Sequence, residues 1–242
     1  MVEGVKLLHS ALEAGAPVEA VFVDDRARSL PEVTSVLDTA AQRGARVFDL
    51  APGVLERVAD TVTPQPVLAV VGMPEATLDE LAGMTFVVVC VEVRDPGNAG
   101  AVIRVAHGAG AGAVVCCEGT VDPFNPKTVR ASAGSVLHIP IVVAGGGAEV
   151  LDTLGGQGLR RVAAVSRGGT PYTDVDLTSP FALVLGNEAS GLPAQLEDRL
   201  DARVTIPMSG GAESLNVSTA AAVLCFESAR RRSNLQAMEE AR

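Results

Sequence analysis

Residues 181–185, Phe-Ala-Leu-Val-Leu, carry no polar side chain and stop at Gly186. A run this short, closed by glycine, reads as a strand buried on both faces. Residues 86–93 form a second apolar run dominated by valine, and residues 113–117 a third. Strands without polar alternation belong to parallel sheets whose faces are both covered by helices. The chain between them alternates as that arrangement demands. Helices are expected at 99–107, 126–133, 149–154 and 216–232, and further strands at 139–143, 161–165 and 204–206. The fold class is therefore α/β with a doubly wound, mostly parallel sheet. Such a sheet gathers the carboxyl ends of its strands along one crevice, where ligands bind. Two strands here end in polar, glycine-rich loops. Residues 181–185 run into Gly186-Asn187-Glu188-Ala189-Ser190-Gly191, and residues 204–206 run into Pro207-Met208-Ser209-Gly210-Gly211.

The first third of the chain reads as a smaller α/β unit. A helix is expected over 2–15, a strand over 18–23, a helix over 30–43 stopped by Gly44, and short elements at 46–48 and 54–58. A last strand spans 67–71, after Thr63-Pro64-Gln65-Pro66. The expected division is 1–71, a linker over 72–83, and a larger domain over 84–242. Arg230-Arg231-Arg232 suits a helix carboxyl end and reads as a solvated face or an RNA contact. Residues 233–242 are expected to fray.

With 242 residues and 48% hydrophobic content, the chain can bury a sizeable core, and 3% aromatic content means that core is built of small branched side chains. The net charge of −10 argues against a protein that coats nucleic acid without selectivity, while leaving room for a local basic site. The cations are nearly all arginine, with Lys6 and Lys127 the only lysines. Arginine suits bidentate phosphate contact, although coding bias accounts equally well for most of them. Cys90, Cys116, Cys117 and Cys225 form no CxxC pair and stand at no zinc spacing from His9, His107 or His138. Buried thiols in a reducing compartment, and no metal, are expected. No signal pattern and no membrane-length apolar run is present, so a cytoplasmic protein free of membrane is expected.

Four separated motifs narrow the reading. They are Asp95-Pro96-Gly97-Asn98-Ala99-Gly100 with Arg104; Asn125-Pro126-Lys127 running to Arg130-Ala131-Ser132-Ala133-Gly134; Gly186-Asn187-Glu188 with Gly191; and Ile206-Pro207-Met208 followed by Ser214-Leu215-Asn216. In type and order they resemble the SpoU-type (TrmH-like) RNA 2'-O-ribose methyltransferases of the SPOUT superfamily. The phrase Val2-Glu3-Gly4 and the TPQP segment resemble the L30e-like RNA-binding domain that precedes many such catalytic domains. In that family a basic segment often lies before the VEG phrase; here Met1 stands directly before it.

The resemblance implies a carboxyl-terminal trefoil knot, S-adenosylmethionine as cofactor, a homodimer, and methylation of a ribose 2'-hydroxyl in RNA. Ribosomal RNA, 23S above all, is favoured over transfer RNA. It also implies catalytic roles for Asn98, Arg104, Glu188, Ser214 and Asn216. Cofactor contact is implied for Gly186, Ile206 and Leu215, and less strongly for Gly191 and Met208. Lys127, Arg130 and Ser132 are the candidate RNA contacts.

Each residue has a plainer reading beside the functional one. Arg104 matches a position proposed as a base, but guanidinium keeps its proton; the preferred reading is a clamp on the adjacent phosphate that stabilises developing alkoxide charge, and the plainer one is a structural ion pair with Asp95 or another acid. Asn98 suits a tight turn, and Ser214 and Asn216 are helix-capping types. Ile206 and Leu215 also fit a core, and the 126–133 helix also fits a purely structural part. Two competing functions remain. A dinucleotide enzyme is imitated by the strand, Gly97 and Gly100, but the three-glycine fingerprint is missing at that turn and no P-loop occurs. A non-catalytic RNA-binding module predicts erosion of the polar set, which is intact.

Overall fold

A computed structural model of the chain describes residues 1–58, 63–74 and 76–240. The chain divides into two compact units, Met1–Pro74 and Glu75–Arg242. In the smaller unit the elements are β1 (Val2–Glu3), α1 (Val5–Glu13), β2 (Val18–Asp24), α2 (Pro31–Gln42), β3 (Arg46–Leu50), α3 (Leu55–Val58) and β4 (Val67–Val71). They build a mixed sheet in the order β1-β4-β2-β3, with β2 and β3 parallel and the other pairs antiparallel. The expected helix over 2–15 is shorter than its periodicity implied. Val2 and Glu3 pair with Ala69 and Leu68, and Gly4, at φ +98°, turns the chain out of that strand into α1. Leu8, Ala11, Val33, Val36 and Ala40 bury one stripe of each helix, the i, i+3, i+4 and i+7 spacing of an amphipathic helix.

The larger unit contains β5 (Phe86–Cys90), α4 (Pro96–Gly108), β6 (Ala113–Cys116), α5 (Pro126–Ala131), β7 (Ile141–Val143), α6 (Gly147–Gly156), β8 (Arg160–Ala164), β9 (Thr170–Pro171), β10 (Phe181–Leu185), β11 (Ala202–Thr205) and α7 (Val217–Glu240). The strands make one sheet in the order β7-β6-β5-β10-β8-β11-β9, and every pairing in it is parallel. All five residues of β5 and all five of β10 are buried. Val87, Val89, Val115, Ala182 and Val184 join Leu151 and Leu154 of α6 in one core layer. Their period-2 neighbours face the other side, where the rings of Phe86 and Phe181 stack at 4.8 Å.

Part of the segment expected as a linker belongs to the larger unit. Leu81 is fully buried, and Ala76 and Leu78 pack on the same core layer. Glu75 lies outside the described residues. A second correction concerns the end of the chain. The helix expected to end at 232 continues to Glu240, and 241–242 lie outside the described residues. Of the triple arginine only Arg230 stays on the solvated face, and Arg231 and Arg232 turn inward. Arg231 donates to the carbonyls of Val175, Tyr172 and Thr173 and pairs with Glu227, as does Arg230. Arg232 donates to the hydroxyl and carbonyl oxygens of Thr85 at 2.8 and 2.7 Å and lies over the rings of Phe86 and Phe181. These bonds tie the long helix to the amino-terminal ends of the central strands.

The four cysteines are buried and unpaired, and burial pushes the thiols of Cys117 and Cys225 up to about 12. Among the described residues no helix is long and apolar enough to cross a membrane, and no group of three His, Cys, Asp or Glu is placed to hold a metal ion.

Two measurements check this packing. A Cβ on Gly100 would lie 2.5 Å from both Ala131 Cβ and the Thr128 carbonyl oxygen on α5. Backbone cannot yield as a side-chain tip can, so Gly100→Ala is expected to lower unfolding free energy by about 2 kcal/mol in urea titration, the overpacking cost exceeding the helix-propensity gain; a change below about 0.5 kcal/mol contradicts the close crossing. Arg230 and Arg231 hold the Glu227 carboxyl down at about 2, below its ordinary 4.5. A lowered folded-state pKa stabilises above the unfolded value and is lost as pH falls through the folded one. Glu227→Gln should therefore flatten the loss of stability between pH 4.5 and 2 and leave its slope near neutrality unchanged.

Candidate active site

Three strands of the larger unit, β8, β10 and β11, deliver their carboxyl ends to a cavity of about 660 Å³. Its walls include Val165, Leu185, Gly186, Leu192, Val204, Ile206 and Leu215, and its rim carries Asn187, Glu188 and Ser214. The parallel register explains the location: adjacent strands running the same way finish on the same edge.

The loop after β10 is held by its own backbone. Asn187 and Gly191 exchange N–H···O bonds at 3.0 and 2.9 Å, closing a tight turn. Gly186 lies so close beneath that turn that a Cβ there would fall 2.6 Å from the carbonyl carbon of Gly191. The Asn187 side chain accepts from the N–H groups of Ala189 and Ser190 and donates across to the carbonyl of Glu92 at 2.9 Å. Glu92 has φ +55°, a left-handed conformation that costs a non-glycine residue energy. The amide of Asn187 is what secures it, and it thereby joins the loop after β10 to the loop after β5.

From that second loop, Asp95 caps α4 by accepting from the N–H of Asn98 at 2.8 Å, and Pro96 occupies the first turn, where no donor is lost. The cap aims the side chain of Asn98 at two loops from distant parts of the chain. Its Nδ2 donates to Glu188 Oε1 at 2.8 Å, and its Oδ1 accepts from Asn216 Nδ2 at 2.8 Å. Asn216 also caps α7, its Oδ1 accepting from the N–H and hydroxyl of Ser218. The capping reading and the site reading of Asn216 are thus both correct, one for each end of its amide.

The sequence-stated candidates distribute unevenly over this geometry. Asn98, Glu188 and Asn216 form one hydrogen-bonded chain. Ser214 lines the cavity and caps nothing, and Gly186, Gly191, Ile206, Met208 and Leu215 line it as well. Arg104 is not brought there. Six residues beyond Asn98 on a helix is about 9 Å along the axis and about 240° around it, and Arg104 is exposed with no hydrogen bond or ion pair among the described residues. The plainer reading, a structural ion pair with Asp95 or another acid, has no counterpart among the described residues, where Asp95 caps α4 instead. Lys127 is exposed on α5 and Arg130 half-buried. Ser132 presents no surface to a ligand: it is fully buried and donates to the carbonyl of Val129. Asn187 and Glu92 were missed as site residues. Asn187 stood inside the quoted Gly-Asn-Glu motif, but Glu92 shows itself only through a backbone angle.

Residues 85–226 match the family described as SpoU rRNA Methylase. The chain belongs to the SpoU rRNA methylase family. Residues 1–77 match a second family, described as RNA 2'-O ribose methyltransferase substrate binding. Among curated relatives, the 23S rRNA (guanosine(2553)-2'-O)-methyltransferase RlmP of Bacillus subtilis strain 168 is 37% identical over 93% of this chain and 86% of its own length. The 23S rRNA (uridine(2479)-2'-O)-methyltransferase of Streptomyces viridochromogenes is 31% identical over 96% of this chain and 83% of its own. Among solved structures, the SpoU methyltransferase AviRb of Streptomyces viridochromogenes in complex with AdoMet superposes with a TM-score of 0.86, at 31% identity over 96% of this chain and 89% of that one. An AdoMet-bound rRNA methyltransferase from Sinorhizobium meliloti gives 0.82 at 32% identity, over 95% and 86%. The α/β fold with its parallel seven-stranded sheet is that of SpoU methyltransferases.

Asn187→Ala removes the bond to Glu92 and the acceptor for the turn together. At roughly 1 kcal/mol for each of these three bonds, urea unfolding should show a loss of about 3 kcal/mol. An unchanged midpoint contradicts the role of this amide in holding the two loops.

Proposed function

We propose that this SpoU-family protein transfers a methyl group from S-adenosylmethionine to a ribose 2'-hydroxyl of 23S rRNA. The observation that carries the reading is the Glu188–Asn98–Asn216 hydrogen-bond chain at the rim of a cavity of cofactor size. The residues fit the cofactor. Ile206, Leu215 and Met208 supply apolar walls suited to adenine, and Gly186, bare of a side chain, leaves backbone groups within reach. When bound, S-adenosylmethionine supplies a methyl already activated by a positive sulfonium. The protein must then place a hydroxyl in line and deal with its proton.

Asn98 fixes Glu188 at one oxygen and leaves Oε2 without a hydrogen bond among the described residues. That carboxylate offers negative charge and an acceptor at the rim. Ser214, uncommitted to any cap, offers a hydroxyl to the ribose or its phosphate. Arg104 keeps its proton and serves as an electrostatic clamp for phosphate and developing alkoxide. Lys127 and Arg130 extend the phosphate contacts, and residues 1–77 grip the RNA, in keeping with the substrate-binding family they match. The protein works in the cytoplasm, where its RNA is.

The reading includes a homodimer. It is supported by Arg104 of α4, which stands off the cavity of its own chain, and by Phe226 of α7, which is 51% exposed beside Gly108 of α4. Packing two copies through this face brings Arg104 to the partner's site. It includes the trefoil knot as well. In support, the carbonyls of Tyr172, Thr173, Val175 and Leu177, all ahead of β10, close on Arg231 and Ser228 of α7.

The direct test maps 2'-O-methyl marks on 23S rRNA from cells with and without the gene; one mark should disappear with the gene, and an unchanged map sinks the reading. Asn98→Ala should lower kcat by about 100-fold, the scale of losing a preorganised donor. Mixing inactive Asn98→Ala and Arg104→Ala protomers should restore about a quarter of wild-type activity, because half the dimers are mixed and each has one intact shared site. No restoration contradicts sharing across the interface.

A further inference from the structure

Arg167 leaves the end of β8 at the rim of the cavity, and Glu213 faces it from the loop before α7. The backbone beneath Arg167 is pinned. Val165 N–H donates to the Val204 carbonyl at 2.9 Å, and the Thr205 hydroxyl donates to the Ser166 carbonyl at 3.2 Å. Gly169 is pressed against β11, where a Cβ would lie 3.0 Å from the carbonyl carbon of Val204. The side chain itself is free to turn. It is 75% exposed, and its guanidinium stands 3.7 Å from the Glu213 carboxylate, which is 88% exposed. A pair so open and so long holds neither partner firmly.

Charge decides what this pair is for. Among the described residues Arg167 is the only cationic side chain lining the cavity, and Glu188 and Glu213 are its acids. Glu188 is engaged by Asn98. S-adenosylmethionine has an adenine end, which apolar walls accommodate, and an amino-acid end, whose carboxylate is suited to pair with a cation. Ile206, Leu215 and Met208 answer the first requirement. Among the described side chains lining the cavity, Arg167 is the one that answers the second.

We propose that Arg167 captures the carboxylate of the methionine end of the cofactor, exchanging Glu213 for it. The proposal rests on the reading of the cavity as a site for S-adenosylmethionine. The exchange trades one carboxylate for another, and the planar guanidinium donates two parallel N–H···O bonds to the newcomer. Arg167 thereby selects the whole cofactor over adenosine fragments that lack the amino-acid end.

The test is calorimetric titration of the full chain with S-adenosylhomocysteine and with 5'-methylthioadenosine, which has no carboxylate. Arg167→Ala should weaken S-adenosylhomocysteine about tenfold and leave 5'-methylthioadenosine within about twofold of wild type, with Arg167→Lys between the two. Equal losses for both ligands, or none for either, overturn the role of Arg167. Wild-type protein that binds neither ligand overturns the reading of the cavity, and Arg167 with it. An exposed arginine is replaceable without loss of the fold, so unchanged unfolding of the variant accompanies the expected result.

Discussion

One side-chain amide holds the site together. Asn98 donates to Glu188 and accepts from Asn216, residues 90 and 118 positions away in the chain. An amide suits this task because it offers a donor and an acceptor on one planar group. Aspartate would set a second carboxylate against Glu188, and leucine would leave both partners unanswered. Everything that positions Asn98 is therefore part of the site: the Asp95 cap, the strained Glu92 ahead of it, and the Asn187 amide that secures Glu92 from the opposite loop.

The rest of the larger unit makes those few ångströms repeatable. Seven parallel strands bring the carboxyl ends of β8, β10 and β11 to one edge. Gly100 lets α5 lie against α4 at a distance no side chain would permit, just past Asn98. At the opposite edge, Arg232 clamps α7 to Thr85 and over the Phe86–Phe181 stack. The helix that Asn216 caps is thus held at its start and again at Arg232. The net charge of −10 gives such a protein no general affinity for RNA, which assigns recognition to particular residues and to the substrate-binding unit.

Much of this was legible in the sequence because it was local. The apolar runs 113–117 and 181–185 and the near-continuous run 86–93 specified buried strands, and their alternation with helices specified a parallel sheet. The polar residues after β10 and β11 fell at strand ends, where a ligand site is expected. What depended on tertiary context was less legible. The triple arginine near the end of α7 has the composition of a solvated helix end, but three distant carbonyls turn Arg231 inward. Ser132 sits in a basic motif yet is buried, because the helix end it closes packs beneath Gly100. Asn187 was visible only as a motif letter, since its function is to support a backbone angle at Glu92 that no periodicity records. Arg104 stands in the same motif as Asn98, but six residues along a helix turn it away from the cavity of its own chain.

The central claim is that this amide chain prepares a ribose hydroxyl for methyl transfer. Its most direct measurement incubates the purified protein with methyl-labelled S-adenosylmethionine and unmodified 23S rRNA, then digests the RNA to nucleosides. The account predicts label in a single 2'-O-methylated nucleoside, and none when that one position carries a 2'-deoxyribose. Label on a base, or no transfer to RNA by protein that binds the cofactor, would contradict it.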